Sequence, residues 1–125
     1  MSFHLKFFLS LFFLFLFSIS CKHKPNFSSL ATVSYAQHIQ PIINSNCTQS
    51  GCHGAQNQEE FGLLTYSDLM KHTSIVAGSP ESSELYHVIR TFNSDKIMPR
   101  KPFAPLTEKQ IQLIYVWIGQ GALNN

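Results

Sequence analysis

No stretch of useful length alternates apolar and polar side chains, so the chain offers no strand-period segment from which to build a sheet. It has no concentrated basic face either. Nine Lys and Arg against seven Asp and Glu leave a formal net charge of +2, which argues against nucleic acid as a partner because phosphate binding needs clustered cations. No apolar run reaches the roughly 20 residues that span a bilayer. Cysteine is scarce, three in 125 residues, and no two stand in the spacing of a thiol–disulfide redox pair. Reactive-thiol catalysis is thereby disfavoured.

The apolar residues that are present crowd one end. His4 and Lys6 precede an almost unbroken run from Phe7 to Phe17, and Ser18-Ile19-Ser20 leads into Cys21. That order is a secretory signal peptide, predicted over residues 1–20, and it predicts an exported product. Phe3, Phe7, Phe8, Phe12, Phe13, Phe15 and Phe17 all lie within it, so most of the aromatic content is targeting signal. Small residues followed by Cys resemble a bacterial lipoprotein processing site, with Ser18 where a bulky aliphatic residue is usual. Cys21 is the candidate lipidation site, and a free or disulfide-paired Cys21 is the alternative. A multi-chain lipid group would hold the product firmly on a bacterial membrane, facing the periplasm or at the cell surface. Residues 21–33 contain Lys, Pro, Asn and Ser without period and read as a tether; residues 34–125 form the expected folded domain.

Within that domain the pattern is helical. Ser34-Tyr35-Ala36-Gln37 has the form of a capping box, and Tyr35, Ile39, Ile42 and Ile43 fall on one face of a helix ending near Asn46. Pro41 predicts a kink or a late start, because inside a helix it removes a hydrogen bond and clashes with the preceding turn. Tyr66 to Lys71 reads as a short helix. Gly78-Ser79-Pro80-Glu81 places Ser79 as N-cap of another, with Leu85, Val88 and Ile89 buried. Thr91 to Pro105 is a proline-rich loop. A last helix starts with the capping pattern Thr107-Glu108-Lys109-Gln110 and runs to Gly119 or Gly121, apolar almost all round. A domain this small, with so apolar a helix, calls for a cofactor to complete its core.

The chemistry is concentrated in Asn46-Cys47-Thr48-Gln49-Ser50-Gly51-Cys52-His53-Gly54. Two nearby thiols, the second followed directly by His, are what covalent haem attachment needs: each sulfur adds to a vinyl group and the imidazole reaches the iron. Four residues separate the thiols where two are usual, and Gly51 can supply the backbone angles for the longer loop. A Cys47–Cys52 disulfide and a zinc site remain alternatives, although zinc wants a fourth ligand and His38, His72 and His87 are each isolated. Further on, Lys96-Ile97-Met98-Pro99-Arg100 offers a thioether, which Pro99 holds away from helical conformation. His72 and His87 are weaker candidates for the same position. Arg90, Arg100, Lys101, Tyr86 and Trp117 are weak candidates for contact with haem propionates.

Taken together, Ile39-Gln40-Pro41-Ile42, Cys52-His53-Gly54, Gly78-Ser79-Pro80-Glu81-Ser82, Met98-Pro99, Leu106-Thr107 and Trp117-Ile118-Gly119-Gln120-Gly121-Ala122 resemble the bacterial cytochrome c domains of exported proteins. The resemblance implies an all-α fold of about four short helices around one covalently bound haem c, its first and last helices packed together. It also implies His53 as the proximal iron ligand and Met98 as the distal one. The expected function is a membrane-anchored carrier of single electrons, not an enzyme, serving a redox partner protein that the residues leave unspecified. The rival readings are a haem enzyme or ligand sensor with an open distal position, and a haem-free, disulfide-stapled interaction module.

Overall fold

A computed structural model describes residues 25–55, 61–91, 93 and 95–125. The predicted signal peptide and Cys21 lie outside the described residues. Among the described residues there are four helices and no strand: α1, wound as Tyr35–Ile39 and then Gln40–Asn46; α2, Tyr66–His72; α3, Glu84–Arg90; and α4, Glu108–Gly119. None is long and apolar enough to cross a membrane. The all-α expectation is met.

The start of α1 shows how the chain accommodates Pro41. Tyr35–Ile39 is wound more widely, with the Gln40 N–H donating five residues back to the Tyr35 carbonyl, and the regular helix begins only at Gln40. Pro41 therefore falls in the first turn of a new helical segment, where its missing N–H costs least. Ser34 caps this end as expected, accepting from the Gln37 N–H at 3.3 Å. The return bond differs: the Ser34 N–H donates to His38 Nδ1 at 3.0 Å, because the wider winding brings the fourth residue back over the cap.

Tyr35, Ile39, Ile42 and Ile43 are all buried, as their spacing predicts. Their principal partner is α4, whose Ile114, Trp117 and Ile118 are almost fully enclosed. The Tyr35 ring lies 5.7 Å from that of Trp117 and 5.1 Å from that of Tyr66, and the Tyr66 hydroxyl donates to the Ala122 carbonyl at 2.9 Å. First and last helices thus pack together around an aromatic cluster. Both capping boxes of α2 and α4 are complete, through Thr65 with Asp68 and Thr107 with Gln110.

Two expectations are revised. Ser79 does not cap α3, because Pro80–Ser82 is a separate 3-10 turn and the helix starts at Glu84 behind an extended Ser83. The cause is the Ser83 hydroxyl, which is fully buried and donates to the Ser79 carbonyl at 3.0 Å while accepting from the Val76 N–H at 3.0 Å. The second concerns the expected tether, residues 21–33. Its described part, 25–33, is laid along α4 with a 3-10 turn at Phe27–Ser29. The Phe27 ring sits 5.5 Å from that of Tyr115, and the Gln120 side-chain oxygen accepts from the Val33 N–H at 2.9 Å.

Replacing Ser83 with Ala takes away both the acceptor of the Val76 N–H and the donor to the Ser79 carbonyl in this part-buried turn, at a cost of about 1–3 kcal/mol. A thermal melt of Ser83→Ala should fall by several degrees while the exposed Ser82→Ala stays near wild type. Equal melts for the two variants would remove Ser83 as the pin of this turn.

Candidate functional site

Helix α1 delivers Cys47 at its C-terminal end. The Cys47 N–H closes the last turn on the Ile43 carbonyl at 2.8 Å. The Thr48 hydroxyl and Gln49 amide then donate back to the Asn44 and Ser45 carbonyls at 2.8 and 3.0 Å, so the loop itself satisfies acceptors that a helix end leaves open. The chain doubles back from there. The Cys52 N–H donates to the Gln49 carbonyl at 2.9 Å and the His53 N–H to the Cys47 carbonyl at 3.0 Å, with Gly51 at φ +83° allowing the reversal. These bonds absorb the two extra residues between the thiols and return Cys52 and His53 to the level of Cys47.

The orientation of His53 comes from residues further on. The Leu63 N–H donates to the His53 carbonyl at 2.8 Å, and His53 Nδ1 lies 3.0 Å from the Phe61 carbonyl oxygen. A carbonyl can only accept, so Nδ1 carries the proton and Nε2 keeps its lone pair. Imidazoles that bind metals are commonly held in this way. The Phe61 ring also stacks on that of His53 at 4.7 Å and on that of His72 at 4.8 Å, giving a row of three near-parallel rings.

Cys47, Cys52, His53 and Met98 line one cavity of about 460 Å³, with walls that include Leu63, Leu85, Val88 and Ile89. Met98 is brought there from the proline-rich loop by its N–H, which donates to the Val88 carbonyl of α3 at 2.8 Å. Pro99 beside it is buried. Both Cys47 and Cys52 are free, half-buried thiols. Burial pushes the Cys47 thiol up to about 11, with Cys52 adding a smaller effect in the same direction.

The weaker candidates separate cleanly. His72, Arg100 and Lys101 line the cavity, whereas His87 is exposed and does not. The Arg90 guanidinium lies over the Tyr86 ring at 5.5 Å, and Tyr86 itself belongs to the core. Trp117 is likewise core, its indole N–H donating to the Leu123 carbonyl at 2.9 Å. What the spacing of residues does not reveal is Phe61. A backbone carbonyl acting as acceptor leaves no mark in a sequence, and only a tertiary fold brings it to His53.

Residues 50–102 match the family model described as Planctomycete cytochrome C, while no curated protein and no solved structure matches the chain. Over that span the chain is similar to a bacterial cytochrome c family. Covalently bound haem c with iron is the cofactor of that family, and the cavity fits it. Two free thiols, an imidazole with an open Nε2 and apolar walls share a volume in the range of roughly 300–1,000 Å³ usual for such ligands. Cys52, His53 and Met98 fall inside the matched span; Cys47 lies just upstream of it and is connected to the site by the cavity alone. Among the described residues no trio of His, Cys, Asp and Glu is gathered to hold a bare metal ion, where structural zinc uses four ligands.

Because the thiolate is the reactive form and burial disfavours it, Cys47 of the haem-free protein should alkylate slowly. At pH 8 its rate in the folded chain should be about 100-fold below that in denaturant, from a shift of two pH units in thiolate formation. Equal rates in the two states would show that the helix end does not bury this thiol.

Proposed function

We propose that this protein is a c-type cytochrome acting as a membrane-anchored carrier of single electrons, with a haem bonded to Cys47 and Cys52 and its iron held by His53 and Met98. The observation that carries the reading is the convergence of all four side chains on one cavity from two distant parts of the chain, residues 47–53 and Met98. When bound, the haem supplies an iron that gains and loses one electron. The protein's task is to hold that iron in a fixed setting.

His53 is suited to one side of the iron by the proton on Nδ1, which leaves Nε2 as the donor atom. Met98 suits the other. A thioether is a soft, weak donor that favours the reduced metal and raises the potential, and the bond to Val88 limits how far this residue can move. If His53 and Met98 both hold the iron, no place would be left on it for a substrate, which favours a carrier over an enzyme. The apolar walls from Leu63, Leu85, Val88 and Ile89 lower the dielectric around the group and also favour the less charged, reduced state. Lipidation at Cys21, read from Ser18-Ile19-Ser20-Cys21, would keep the carrier on its membrane.

Met98→Ala tests the choice between carrier and catalyst. Loss of the thioether should abolish the weak far-red charge-transfer absorption of the ferric protein, lower the reduction potential and let cyanide or carbon monoxide bind more readily. Met70→Ala, which alters a side chain outside the cavity lining, should leave all three unchanged. An unaltered spectrum and potential in Met98→Ala, with both altered in His72→Ala, would replace the thioether by a second imidazole.

A further inference from the structure

The strap formed by residues 26–33 is fastened to α4 more closely than a tether needs to be. A Cβ at Gly119 would overlap the Phe27 ring, so the helix carries its one small residue where the aromatic side chain lies against it. Gln120 holds the backbone on both sides of that contact. Its amide donates to the Phe27 and Ala31 carbonyls at 3.3 and 3.0 Å while its oxygen accepts from the Val33 N–H at 2.9 Å. Asn125 completes the junction, its side-chain oxygen accepting from the Tyr35 N–H at 2.8 Å and its carbonyl from the Ala36 N–H at 2.9 Å.

Two large apolar side chains are left in water at this junction. Leu30 is 48 % and Leu123 56 % exposed, and both border the same shallow depression of about 310 Å³. Only Lys22, His23, Lys24 and Pro25 separate Cys21 from Asn26. Fully extended, that stretch spans roughly 17 Å, so an anchor at Cys21 keeps the junction within that distance of the lipid. Lys22 and Lys24 suit anionic head groups.

We propose that the face carrying Leu30 and Leu123 rests on the lipid surface and that the haem cavity is thereby turned towards water. The proposal rests on the reading of Cys21 as lipidated. The first helix supplies the second half: its N-terminal end is bound to Asn125 at this junction, and Cys47 follows its other end, roughly 18 Å away at 1.5 Å per residue. A redox partner then approaches from the side away from the bilayer, and the strap fixes orientation as well as attachment.

The test uses the full chain, matured with haem and purified from membranes, in vesicles of phosphatidylethanolamine and phosphatidylglycerol. Nitroxide labels are placed at Leu30→Cys, at Leu123→Cys and, as a control at the far end of α4, at the exposed Lys109→Cys. Labels at 30 and 123 should collide with a water-soluble nickel chelate several-fold less, and with oxygen several-fold more, than the label at 109. Equal nickel access at all three sites, with acyl chains found on Cys21 by mass spectrometry, overturns the orientation and leaves the anchor standing. Absence of acyl chains on Cys21 overturns both. Protection at 30 and 123 that persists in a Cys21→Ser chain without vesicles and grows with protein concentration assigns the face to a second copy instead.

Discussion

The packing of α1 against α4 is the contact on which the rest of the molecule depends. Tyr35, Ile39 and Ile43 meet Ile114, Trp117 and Ile118 in a nearly solvent-free seam, and these are among the most enclosed residues of the protein. Once that seam is set, the direction of α1 decides where Cys47 emerges. The wide first turn that accommodates Pro41 matters for the same reason, since it fixes the rotation of the helix between its cap at Ser34 and the thiol at its end.

From that end the site is built by local closure rather than by long reach. The loop from Thr48 to Gly51 folds onto the helix terminus, and His53 is held from two directions by the Leu63 N–H and the Phe61 carbonyl. Met98 comes from the far side of the chain but is pinned to α3 through Val88. Each group that faces the cavity is therefore positioned by backbone hydrogen bonds, which tolerate changes of side chain and resist displacement. Such an arrangement suits a group that must change charge without its surroundings moving.

Much of this was legible in the sequence because it depends on periodicity and on neighbours along the chain. The buried face of α1, the capping boxes of the last helix and the thiol–imidazole motif need nothing beyond spacing. Met98 was legible because Pro99 follows it in a loop crowded with proline. Ser79 misled because Ser-Pro-Glu has the form of a helix start, and the competing claim of the Ser83 hydroxyl on the Val76 N–H is tertiary. Phe61 was invisible for the same reason, its contribution being a carbonyl. The strap was hidden by composition. Asn, Ser and Lys around Phe27 read as linker, and only Gly119 and Gln120, some 90 residues away, convert it into part of the fold.

The proposed attachment of one haem to both thiols, despite their wide spacing, is open to direct chemical measurement. Its most direct measurement is extraction of the protein, expressed with cytochrome c maturation, into acid and organic solvent, followed by mass spectrometry of the peptide that contains Cys47 and Cys52. With both thioether bonds formed, all haem should stay with the polypeptide and neither thiol should be alkylated. Release of the haem into the organic phase, with both cysteines recovered as free thiols, would contradict that attachment.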